Sequence, residues 1–177
     1  MTDYKSTLNL PATGEALSLP YFRHARLQRW VEQTLATHPV DTAIAFSSPM
    51  AQYLPGDAAP APLLRVLDLV DVDSEKWRGY AQAQPWPLAA LYRREAAKLL
   101  AHERAMAHHC DHTLLVSSAE AALFRRLAPE SGARIDYFNM GVDADYFSPR
   151  LRLPKVEHYS LCMTLLMHER LGGGHSS

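Results

Sequence analysis

Three aspartates fall close together in the segment VLDLVDVDSEKW: Asp68, Asp71 and Asp73. Carboxylates this near to one another either form a functional cluster or repel at a cost. Asp68 alternates with Leu67 and Leu69 inside an apolar run, so if buried it must find a hydrogen-bond partner. Asp71 and Asp73 lie past that run. They have the chemistry to orient hydroxyl groups or accept a proton, which makes them the candidate catalytic residues. The plainer reading is a solvated acidic loop with Lys76 and Arg78 as neighbours. Two serine pairs also close apolar runs, Ser47 with Ser48 and Ser117 with Ser118. A small hydroxyl at such a place either caps the next helix or hydrogen-bonds a sugar or phosphate, so these four serines are candidate substrate-binding residues.

Glu95 is the next unusual acid. At helical spacing, Leu88, Leu91, Tyr92, Leu99 and Met106 form an apolar stripe with Glu95 in its middle. A carboxylate there needs an arginine or backbone N–H groups from a neighbouring element, or it faces a cleft. Glu103, at the edge of the stripe, reads as the more ordinary acid. The cluster HHCDH over 108–112 offers metal-binding side chains, but adjacent helical residues point in different directions and no second ligand pair stands at motif spacing. No metal site is assigned. Arg125 and Arg126 read as the solvated face of their helix.

These residues need elements to position them. Residues 21–37 place Leu27, Trp30, Val31 and Leu35 at helical spacing, with Arg23, Arg26 and Arg29 mostly elsewhere, which predicts one amphipathic helix ended by His38-Pro39. In that reading Trp30 is in phase with the core. A strand over 42–47, a short helix (PMAQYL), a Pro/Gly/Ala loop and a second strand over 63–70 follow. After the acidic stretch and the Pro85/Pro87 breaker comes a long helix, 88–108, then a strand (HTLLVSS), a helix (AEAALFRRLA) and a last strand over 133–138. Alternation of strands and helices at these lengths predicts an α/β fold: a Rossmann-like parallel sheet with helices on both faces. In such a sheet ligands bind beyond the carboxyl ends of the strands, where Ser47, Asp71, Asp73, Ser117 and Gly141 would border one cleft.

Eighteen Lys and Arg against 19 Asp and Glu leave a net charge of -1 over 177 residues. That balance argues against a general nucleic-acid binder, whose affinity rests on a basic excess. No apolar run reaches membrane-spanning length and the N-terminus lacks the order of a signal peptide, so a cytoplasmic location is expected. Cys110 and Cys162 form no CxxC pair, which leaves neither a disulfide framework nor a four-cysteine zinc site. No Gly-rich strand-turn-helix precedes Tyr21, and no further βα unit is evident after Pro149. The expectation is therefore a partial domain over 1–149 and a nonmatching tail over 150–177, incomplete at both ends.

The order HTLLVSSAEAALFRRLAPE then ARIDYFNMGVDADYFSP resembles the N-terminal domain of family 4 GT-B glycosyltransferases. In that family a strand ending in Ser precedes a helix, and a later strand runs into an Asn-Gly-Val-Asp turn followed by an aromatic residue and Pro. Here the turn is Met140-Gly141-Val142-Asp143, followed by Tyr146, Phe147, Ser148 and Pro149. Met140 replaces the family's Asn, and Asn139 sits one place early. With GEALSLPYFRHARLQRW, AIAFSSPMAQYL, LDLVDVDSEKWRGYA and LYRREAAKLLAHERAMA, the chain is similar, over about residues 14–149, to the exosortase (PEP-CTERM) system-associated sugar transferases of exopolysaccharide clusters.

The resemblance implies an incomplete GT-B N-terminal domain of a retaining transferase that moves a sugar from a nucleotide-sugar donor to a glycan or lipid-linked acceptor, with no cofactor and no metal. It adds Asn139 and Gly141 to the substrate-binding candidates. The acceptor would sit on this domain and the nucleotide sugar on a C-terminal domain, so this chain alone would be inactive, because positioning supplies much of the rate. A peripheral contact with the inner face of the cytoplasmic membrane, through Arg23, Arg26 and Arg29 beside Tyr21, Phe22 and Trp30, is a further expectation; no nucleic-acid partner is. The alternatives are a noncatalytic α/β binding module of receiver type, which would need a phospho-acceptor Asp and a later Lys on other strands, and a truncated remnant with exposed sheet edges.

Overall fold

The computed structural model describes residues 14–56, 63–139 and 141. Residues up to Met140 belong to one compact unit; Gly141 opens a second, 141–177, in which it alone is described. The first unit runs α1 (Ser18–Phe22), α2 (Ala25–Thr37), β1 (Thr42–Phe46), a 3-10 helix (Ser48–Tyr53), β2 (Leu64–Val70), α3 (Asp73–Gln82), α4 (Leu88–His109), β3 (His112–Leu115), α5 (Ser118–Leu127), a 3-10 helix (Pro129–Arg134) and β4 (Ile135–Tyr137). The four strands form one parallel sheet in the order β1-β2-β3-β4, flanked by helices. This is the expected Rossmann-like α/β architecture. No helix among the described residues is long and apolar enough to cross a membrane.

Register explains which residues make the core. Ala45 stands opposite Leu67, Leu67 opposite Thr113, and Thr113 opposite Ile135. These alternate positions share one face of the sheet. There Ala45, Leu67, Leu69, Leu115 and Ile135 pack with Ala107 and Cys110 at the end of α4 and with Ala121 and Phe124 of α5. Cover is uneven, because on the other face Ile44 is 68 percent exposed and Phe46 64 percent. An unreversed strand order has this consequence, since right-handed crossovers place successive connecting helices on the same side. Asp68, opposite Phe46 in the register, lies on that open face and uses its carboxylate to accept the Val70 N–H at 3.1 Å.

Three expectations need correction. The single helix over 21–37 is two helices, broken at Arg23–His24. The Tyr53 hydroxyl accepts the His24 N–H at 2.5 Å and donates to the Phe22 carbonyl at 2.6 Å, pinning the chain at the break. The His24 ring then caps α2 by accepting from the Arg26 N–H. The acidic stretch is a loop only at Asp71 and Val72; from Asp73 it is the start of α3, with Asp73 and Glu75 in the first turn, where the helix dipole favours carboxylates. Trp30 does not fill the core: it is 61 percent exposed, and no residue of α2 is buried.

Candidate functional site

Because the strands are parallel, their carboxyl ends share one edge. Ser47 follows β1, Asp71 follows β2 and Ser117 stands just beyond β3, on three neighbouring strands. The Val116 N–H to Val70 carbonyl bond, 2.9 Å, ties the ends of β2 and β3 together, and the Ser47 N–H donates to the Asp68 carbonyl at 2.7 Å across β1 and β2. Two of these ends hold strained backbone. Ser47 has φ 75° and Val70 φ 66°, the left-handed region that residues with a Cβ avoid and that a β-branched residue avoids most. Val70 sits where the ladder register shifts between Asp68 and Val70, and the Asp71 N–H turns back to the Leu69 carbonyl at 2.8 Å. Backbone strain of this kind concentrates at ligand sites.

Asp71 and Asp73 are brought together by one cation. Lys76 Nζ lies 2.9 Å from Asp71 and 3.0 Å from Asp73, and all three side chains retain exposure to solvent. Burial works against the Lys76 charge, but the hydrogen bonds to both aspartates outweigh it and raise its pKa above the usual range. The carboxylates therefore keep a fixed positive partner while presenting remaining lone pairs outward. Such a pair can accept hydrogen bonds from sugar hydroxyls.

The serines divide by role. Ser117 caps α5, its hydroxyl accepting the Glu120 N–H at 3.2 Å. Ser118 is the exposed first residue of that helix. Ser48 is buried, its hydroxyl donating to Glu103 at 3.2 Å and its carbonyl 3.0 Å from His102 Nε2. That position gives Ser48 a structural contact in place of the expected one with substrate. Asn139 is exposed beyond β4. Gly141 belongs to the second unit, and residues 142–149 of the resembling motif lie outside the described residues.

Glu95 is 2 percent exposed and has the backbone partners anticipated for it, accepting from the Leu17 N–H at 2.7 Å, the Ser18 N–H at 3.0 Å and the Ser18 hydroxyl at 2.9 Å. It thereby satisfies the orphan donors at the start of α1. Glu103, at the edge of the stripe, is not the ordinary acid that its place in the sequence implies. It is fully buried and accepts from the Ser74 N–H, the Ser74 hydroxyl and the Ser48 hydroxyl, so one carboxylate joins the beginnings of α3 and of the 3-10 helix after β1. Burial pushes its pKa up to about 7, against the hydrogen bonds from Ser74 and Ser48, with the nearby Asp73 charge adding to the rise. Its eight-residue spacing from Glu95, with Leu99 between, was the available signal. Glu120 was also missed; its carboxylate accepts the Val72 N–H at 3.1 Å, linking α5 to the turn that carries Asp71.

The remaining cluster is spent on packing. His109 Nε2 lies 3.0 Å from the Pro55 carbonyl, Cys110 is buried and the Asp111 carboxylate accepts the Arg65 N–H at 2.7 Å. Arg125 does not simply face solvent, as it donates to the Ile135 carbonyl and ties α5 to β4. Compared with known proteins, the chain matches no family model, no curated protein and no solved structure.

Proposed function

We propose that this unit is the acceptor-side domain of a sugar transferase, holding a glycan or lipid-linked acceptor at the carboxyl edge of the sheet while a nucleotide-sugar donor is held elsewhere. The observation that carries the reading is the pair of strained residues, Ser47 and Val70, on adjacent strand ends beside the Asp71–Asp73–Lys76 group. A fold of this kind hosts many activities, so the edge chemistry and the sequence resemblance bear the weight, not the architecture. In this reading Asp71 and Asp73 accept hydrogen bonds from acceptor hydroxyls, and Lys76 fixes both carboxylates. Ser117 and the exposed Ser118 lie on the same edge as further polar groups. Transfer would break the bond between the donor's anomeric carbon and its phosphate oxygen and join that carbon to an acceptor hydroxyl oxygen, the hydroxyl proton passing to the departing nucleotide phosphate, in the synthesis of an exopolysaccharide.

The test is a titration of the isotopically labelled chain, followed by amide chemical shifts, with a water-soluble short-chain lipid-linked disaccharide, free disaccharides and nucleotide sugars. Acceptor-type ligands should move the amides of Ser47, Val70, Asp71 and Ser117, and D71N/D73N should abolish the response. Shifts with nucleotide sugars alone at those amides would reassign the edge to the donor. No response to any of them would overturn the reading.

A further inference from the structure

We infer that α2 is an interfacial helix that holds this protein against an anionic lipid bilayer. The inference rests on the geometry of α2 and not on the sugar reading. An amphipathic helix in a folded domain ordinarily buries its apolar stripe. In α2 no residue is buried. Leu27, Trp30, Val31 and Leu35 instead line an open groove of about 500 Å³ shared with β1, which is the end strand of the sheet. Trp30 is 61 percent exposed, and Tyr21 and Phe22, stacked edge to face on the preceding turn, are exposed as well.

Charge selects the occupant of that surface. Arg26 stands four residues before Trp30 and Arg29 one before it, both exposed and with no carboxylate partner among the described residues. Arg23 pairs with Glu15 at 2.8 Å, while Glu32, the one acid of α2, accepts from the neutral Gln28 amide at 2.8 Å and keeps its charge, so Arg26 and Arg29 leave the helix with a net excess of one cation. An exposed Trp beside unpaired arginines on an amphipathic helix, with Tyr21 and Phe22 exposed at the end of the helix before it, is a pattern that lies in a bilayer interface, apolar face among the acyl chains and cations at the headgroups. Each arginine near an anionic surface strengthens binding about fivefold, so the pair supplies about 25-fold.

The experiment is co-sedimentation of the full chain with vesicles of phosphatidylcholine alone or with 30 percent phosphatidylglycerol, at about 0.05 and 0.5 M salt. Binding should require the anionic lipid, fall at high salt and weaken about 25-fold in R26Q/R29Q. R93Q/R126Q removes the same charge from exposed sites on other helices and should bind like the parent. The inference is overturned by absence of binding, by equal binding to neutral vesicles, or by an equal loss in R93Q/R126Q. It is also overturned if polyglutamate binds and vesicles do not.

Discussion

The Glu103 carboxylate grips Ser74 twice, accepting its N–H at 3.1 Å and its hydroxyl at 2.6 Å, from an element 29 residues away in the chain. The contact seats the first turn of α3 on α4, and that turn carries Asp73 of the candidate site. A buried carboxylate with these partners is worth more as a connector than as an isolated charge.

Removing it should therefore cost more than changing its charge. Glu103→Ala leaves the Ser74 N–H and two buried hydroxyls without their acceptor and is expected to destabilise the fold by about 3 kcal/mol. Glu103→Gln keeps an acceptor and shape and should cost about 1 kcal/mol. Urea midpoints of the two variants check the order; equal losses would refute the connector role.

The same residue sets a pH dependence whose sign follows from its shift. Its pKa rises on folding from 4.5 to about 7, so the folded state holds a proton that the unfolded chain has released. The associated stability is fully present below pH 4.5 and is lost as pH rises through about 7, a change of about 3 kcal/mol. His102, its pKa lowered by burial, acts in the opposite sense as pH falls. Urea stability from pH 4.5 to 8, taken as parent minus Glu103→Gln, isolates the Glu103 contribution and should decline with pH.

Strain at Ser47 makes a separate prediction. Glycine adopts φ 75° without a Cβ penalty, so Ser47→Gly should raise thermal stability by the equivalent of about 1 kcal/mol, whereas Ser47→Ala should give no gain. If the edge binds acceptor, the glycine variant should bind it more weakly for lack of the hydroxyl, which the amide-shift titration reads. A destabilised Ser47→Gly would show that the backbone conformation is not strained.

Cys110 should be chemically silent in the folded protein. Burial first, and then the Asp111 charge, push its thiol up to about 11, so almost none is thiolate near neutrality. In Cys162→Ser, which leaves Cys110 as the sole thiol, a chromogenic disulfide reagent at pH 8 should react only after urea is added. Rapid labelling in buffer would contradict the burial of this position.

The sequence alone determined the strands and the long helix α4, because apolar runs and period-3.6 patterns are local signals, whereas it left the serines at the strand ends open between capping and binding. It also marked Glu95 as needing donors, since a carboxylate inside an apolar stripe announces its own cost. Tertiary structure alone decided which donors answered, Leu17 and Ser18, at separations of 78 and 77 residues. It broke the 21–37 segment through Tyr53, about 30 residues on, a contact that no helical period contains. It also left Trp30 outside: phase on a helix states which residues share a face, but only the neighbouring elements decide whether that face is covered.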